Sequence, residues 1–359
     1  MIPSNKNKQK TIPLKQSVSR QRLLWPDVVR IIAIYFVIQV HTPYTQIHNN
    51  FIQIILNKLD VMGVPLFVLL SGALLLGKTE SYRIFLRKRC LKVLIPWIIW
   101  TFLYMIYYFN FHHSSVISDF FSDNRSMFSQ WFHFFFRTFM SSLYFLPMIF
   151  SIYLLTPLFR IIVKHVTNFD IFYILTLWFV LISFMPYLIS SPLFPTWEPT
   201  IVFVPIQFCG YFLIGYFVIK RQIFKKINLP VLFIISILPF LLELIPIKLT
   251  FLQNLTNGYL FPGTVLASIF LFYFLYSIFD ILEEKITPFL RRIIIMISGA
   301  SFGVYIINEI CIDFLKNVLT RIPFLYHFEF LFTTVIFLLG SIIVILLQKI
   351  PIIKYIVPQ

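Results

Sequence analysis

The stretch VMGVPLFVLLSGALLLGK, residues 61–78, holds no charged side chain between Asp60 and Lys78. With the residues just before it, it forms an apolar run near 54–77, long enough for the ~20 residues that a membrane-crossing helix needs. Nine similar runs accompany it, near 24–42, 91–110, 142–160, 171–190, 201–219, 230–247, 259–280, 292–312 and 328–348. The composition agrees. Of 359 residues, 59% are hydrophobic and 12% are charged, about half the charged share of a soluble domain. The expected fold is an all-α polytopic membrane protein with about ten transmembrane helices.

The net charge of +16 invites a nucleic-acid reading, so its distribution decides. The basic residues sit in short segments between the apolar runs, and no continuous basic face forms. With the N-terminus inside, 23 of the 30 Lys and Arg residues fall on the cytoplasmic side, six fall outside, and Arg30 lies within the first span. That asymmetry is what the positive-inside rule demands of an even number of spans with both termini cytoplasmic. No nucleic-acid partner is expected; membrane lipids are. Residues 1–22 read as a disordered basic cytoplasmic tail, 23–350 as a ten-span transmembrane domain, and 351–359 as a short cytoplasmic tail. The first run lacks a small-residue cleavage site and contains Asp27 and Arg30, so it reads as a retained span rather than a signal peptide. Cys90, Cys209 and Cys311 are far apart, form no CxxC, and read as packing residues.

One loop is long. Residues 111–141 are expected outside and are rich in aromatics, with His112, His113, Trp131 and His133 among them. An aromatic belt at the interface and a contact surface for a glycan are both open readings. His112 and His113 lack the nearby carboxylates or cysteines of a ligand set, so no metal is expected.

Ionisable groups inside a membrane are costly and mark candidate sites. The first span holds Asp27, Arg30 and His41 in PDVVRIIAIYFVIQVHTP. Arg30 and His41 differ by ~20° in direction and by ~16 Å along a helix axis, so they share a face at different depths. Such a pair can hold a group at one level and react it at another. Alternatively, Asp27 and Arg30 pair locally and His41 caps the helix end. Arg87, Lys88 and Arg89 form a basic triplet that either fixes orientation or clamps an anion. In a helix Arg87 and Arg89 diverge by ~200°, so a joint clamp needs an extended segment or ligand groups on both sides. Asn308 and Glu309 fall near the outer end of the ninth span, at a depth similar to His41. Glu243 is a further acid in an apolar run, and its partner is not legible in the sequence.

Several blocks together resemble the bacterial acyltransferase 3 family of membrane-bound O-acyltransferases. These are DVVRIIAIYFVIQVH (27–41), VPLFVLLSGALLLGK (64–78), RKR (87–89) followed by LIPWIIW (94–100), LYFLPMIFSIYLLTP (143–157) and SFGVYII (301–307). The resemblance implies acyl-CoA, acetyl-CoA above all, as a donor bound from the cytoplasm. It implies an outer hydroxyl of an envelope glycan or lipid-linked sugar as acceptor, and a bacterial cytoplasmic membrane as location. Carried over by motif, His41 is the catalytic base, Arg30 its companion, and Arg87 and Arg89 the residues that bind coenzyme A's phosphates. Asp27, Tyr305, Asn308 and Glu309 are supporting candidates. The chain departs from the family pattern at two places: Asn308 stands where Tyr-x-x-His is common, and Ser142, Leu143, Tyr144 and Phe145 replace His-Leu-Trp-Phe. Asn308 cannot serve as a proton acceptor. The rival class is a polysaccharide exporter or flippase without covalent chemistry.

Overall fold

The computed structural model describes residues 22–42, 58–111, 143–189, 204–244, 255–256, 258–319, 321–322, 329–351 and 353–358. The N-terminal tail, most of the 111–141 loop and the histidines at 112, 113 and 133 lie outside the described residues. Helices follow the apolar runs in order: α1 (Trp25–His41), α2 (Gly63–Leu75), α3 (Tyr82–Arg89), α4 (Ile95–Phe111), α5 (Phe145–His165), α6 (Asn168–Trp178), α7 (Met185–Ile189), α8 (Val204–Arg221), α9 (Leu229–Leu244), α10 (Pro262–Leu282), α11 (Pro288–Leu319) and α12 (Glu329–Leu347). No strand occurs among the described residues. Among the described residues, six rods are long and apolar enough to cross a membrane: Tyr82–Tyr107, Phe145–His165, Asn168–Tyr187, Pro262–Lys285, Pro288–Lys316 and Phe330–Leu347. Asp60–Leu75 and Leu229–Glu243 are shorter apolar helices.

Two rods are continuous through π-helical turns, Cys90–Leu94 between α3 and α4 and Phe179–Phe184 between α6 and α7. Each ends two residues before a proline, Pro96 and Pro186. A proline has no N–H to donate and its ring strikes the carbonyl four residues back. Widening the preceding turn moves that carbonyl away and keeps the rod unbroken. The basic triplet therefore belongs to the same rod as the span that follows it, and Arg87 and Arg89 sit on a helix rather than an extended segment.

Although α1 carries Asp27 and Arg30, it lies at the centre, packed on α2, α10, α11 and α12. That placement keeps its charges out of lipid. The tightest crossing joins α2 to α8. A Cβ on Gly72 would lie 1.7 Å from the carbonyl oxygen of Phe212, and one on Gly215 would lie 1.9 Å from that of Leu69. Backbones meet directly, as small residues allow between membrane helices. Gly72→Val is therefore expected to force the helices apart, at or above the ~1–3 kcal/mol typical of overpacking. A thermal unfolding midpoint in detergent unchanged from wild type would contradict this reading of the crossing.

Glu243 finds its partner here. It pairs with Lys58 at 2.5 Å and accepts a hydrogen bond from the Thr256 amide, tying the segment that leads into α2 to the end of α9.

Candidate functional site

The site begins with Asp27, whose carboxylate is 1% exposed at the start of α1. Pro26 and Asp27 suit the first turn, where an acid meets the positive end of the helix. Arg22 reaches it with two bonds of 2.9 and 2.6 Å, Arg30 with one of 3.0 Å, and Ser298 of α11 donates one of 2.7 Å. The local pairing of Asp27 and Arg30 thus exists, and it does not consume Arg30. The guanidinium remains about one-third exposed and faces a cavity of about 750 Å³.

Six cations line that cavity: Arg22, Arg30, Lys78, Arg89, Lys92 and Lys349. No carboxylate is among the lining residues. All six come from one end of the bundle. Arg89 is held from below by rings, its guanidinium carbon 5.3 Å from the Phe85 centroid and 5.2 Å from that of Tyr153. Its Nε is buried without a hydrogen-bond partner, and among the described residues it has no ion pair. A fork of donors oriented by aromatic faces and left without an acid is prepared for an anion. Lys78, in the loop after α2, shows the local field: burial first, and then the charge of Arg89, hold its pKa below the usual lysine value.

A second arginine supports the first from outside the cavity. Arg160 of α5 donates through Nε and Nη2 to the Leu75 carbonyl (3.2 and 3.0 Å) and through Nη1 to the Glu80 carbonyl (3.2 Å). Its guanidinium carbon lies 4.6 Å from the Phe85 centroid, so Phe85 supports both Arg160 and Arg89. Glu80 pairs with Lys88 at 2.6 Å. That hydrogen bond, followed by the charges of Lys88, Lys78 and Arg160, holds its carboxyl below the usual carboxylate range. Arg160 thereby satisfies the last carbonyl of α2, that of Leu75, and fixes the loop that carries Lys78. Arg160→Met is expected to loosen that loop, so trypsin should cut after Lys78 several-fold faster than in the wild type. Equal cleavage rates would show that the loop is held by other means.

Inward from the cations the lining turns apolar. The ring of Phe145 packs against Phe67 and Tyr305, with centroids 5.7 Å apart in both pairs. Phe67 is eight residues from Leu75 on α2, Phe145 eight from Tyr153 on α5, and Tyr305 seven from Ser298 on α11. At 1.5 Å per residue, three separate helices place these rings ~10–12 Å from the basic end. The cavity is amphipathic along its length: cations line one end and aromatic rings line the other.

The structure brings Arg30, Arg89 and Tyr305 to this one cavity, with Asp27 behind it. Arg87 is exposed and is not among the lining residues. His41 ends α1 half-buried, also outside the lining. Asn308 is 2% exposed, with both amide atoms unpaired, and Glu309 is half-buried beside it. Both lie beyond Tyr305 on α11. Sequence reasoning missed Arg22, Lys78, Lys92 and Lys349 as wall residues and Arg160 as their support. The signal available was their common side in the count of basic residues. Among the described residues no three His, Cys, Asp or Glu side chains gather to hold a metal.

The sequence model of a family described as an acyltransferase domain matches residues 23–346. No curated protein and no solved structure matches the chain.

Proposed function

The chain belongs to the acyltransferase 3 family, and from that premise we propose that it is a membrane O-acyltransferase with acyl-CoA as donor. The acyl group is acetyl, and the acceptor is a hydroxyl of a cell-surface polysaccharide or lipid-linked sugar. The chain crosses a bacterial cytoplasmic membrane ten times, with both ends inside. The observation that carries the donor reading is the cavity, whose described lining includes six cations and no carboxylate at one end and aromatic rings at the other. Coenzyme A has the matching asymmetry, with phosphates at one end and an uncharged pantetheine arm at the other.

In this reading the phosphates lie on Arg89, Lys78 and Lys92, with Arg30 held in place by Asp27. Arg87, on the outer side of the same helix, meets only those ligand groups that remain outside the cavity. The arm runs past Phe67, Phe145 and Tyr305 toward the level of His41. The neutral imidazole of His41 takes the acceptor's hydroxyl proton as its oxygen attacks the thioester carbonyl. The tetrahedral intermediate then expels the coenzyme A thiolate, and the imidazolium returns the proton to that sulfur.

The experiment is to incubate the purified, reconstituted protein with labelled acetyl-CoA and a glycan acceptor. Label on the acceptor is the expected result. Glycan movement across the membrane without modification would replace this reading with an exporter.

A further inference from the structure

Away from the basic cavity, a second hollow of about 510 Å³ lies between α6, α8 and α10. Its floor is made of buried apolar side chains, among them Phe217, Val265 and Ile269. Its rims are exposed: Phe172 is 70%, Ile223 53% and Leu266 44% accessible. Along the rod that begins with α6, only 11% of the residues are buried inside the protein, so this side of the bundle faces lipid. In a bilayer an apolar groove open to hydrocarbon is filled by lipid chains.

One end of the groove is not apolar. Arg221 and Asn168 line it, and Lys220, Lys225 and Lys226 are exposed beside Arg221 in sequence. The chain is bent to make this end. Gln222 adopts φ 47°, the only positive φ at a non-glycine among the described residues, in a region where L side chains are disfavoured. The reversal places Ile223 on the groove's rim. It is clamped by Phe224, whose ring lies 4.9 Å from Phe270 and 5.5 Å from Tyr273. Two acids are nearby. Asp170 is taken up in the cap of α6, accepting from the Thr167 amide and hydroxyl at 2.9 and 2.7 Å. Asp280 lies in the last turn of α10, and neither acid lines the groove.

We infer that this groove is a binding site for an anionic phospholipid. One acyl chain lies over Phe217 and Val265, and the headgroup phosphate sits on Arg221, flanked by Lys225 and Lys226. Basic pockets between membrane helices select anionic headgroups by this chemistry. The site stands independently of acyl transfer, because no residue of the basic cavity takes part in it.

The test uses the full chain in vesicles of phosphatidylcholine doped with a photoactivatable lipid. The diazirine is on the acyl chain, and the headgroup is either phosphatidylglycerol or phosphatidylcholine. Crosslinked peptides are then mapped by mass spectrometry. Expected is more than about tenfold more label from phosphatidylglycerol on peptides containing Phe172 and Leu266. Arg221→Gln, at an exposed position, should cut that preference about fivefold. The triple variant with Lys225→Gln and Lys226→Gln should abolish it. Equal labelling by the two lipids, label elsewhere, or a preference unchanged in Arg221→Gln would overturn the proposal.

Discussion

His41→Ala is expected to abolish acyl transfer while the protein still folds, enters the membrane and binds acyl-CoA. General-base catalysis contributes about 10²–10⁴-fold, and a sugar hydroxyl gives up its proton poorly without it. In the proposed mechanism, proton transfer and donor binding are separated in space. The cations that line the cavity lie at one end of the bundle, and His41 lies at the far end of α1, outside the lining. Loss of the imidazole should therefore lower kcat and leave donor binding close to wild type. The neutral ring must be the resting form, so wild-type activity should fall as pH is lowered through its pKa. A His41→Ala protein with full transfer activity, or one that loses donor binding as severely as catalysis, would contradict this division of labour.

The second large effect is expected at Arg89, with a contrast to its neighbour. Arg89→Ala should raise KM for acyl-CoA about 10–100-fold with little change in kcat, because hydrogen bonds to a charged group contribute ~1.5–3 kcal/mol. Arg89→Lys should fall between, keeping the charge and losing the planar fork. Arg87→Ala should change KM by no more than about fivefold, because Arg87 is exposed and lies outside the cavity and exposed charges contribute ~0–1 kcal/mol. Steady-state kinetics on the three variants checks this. If Arg87→Ala proved as damaging as Arg89→Ala, phosphate binding would lie on the outer surface of the rod, not in the cavity.

Much of the architecture was legible, because apolar length is a local property and each run carries its own signal. All ten runs became helices or helical rods in the described residues, and α11 continues to Leu319, beyond the predicted end near 312. The common face of Arg30 and His41 could be computed from helical geometry alone. The basic triplet was legible as a site but not as a geometry, because the π turn before Pro96 joins it to the following span and leaves Arg89 on the inner side. The remaining wall residues were hidden for a different reason. Lys78, Lys92 and Lys349 each have an ordinary explanation in membrane orientation, and only packing of distant segments turns them toward one space. Arg160 and the Lys58–Glu243 pair depend on contacts 80 to 185 residues apart, for which no periodicity exists to be read.

A cryo-electron microscopy map of the full chain with bound coenzyme A tests most directly whether the basic cavity is the donor site. The prediction is density for the phosphates within hydrogen-bonding reach of Arg89, Lys78 and Lys92, and for the arm leading toward Phe67, Phe145 and Tyr305. Nucleotide density on the Arg87 side of the helix, with the cavity empty at saturating ligand, would contradict it.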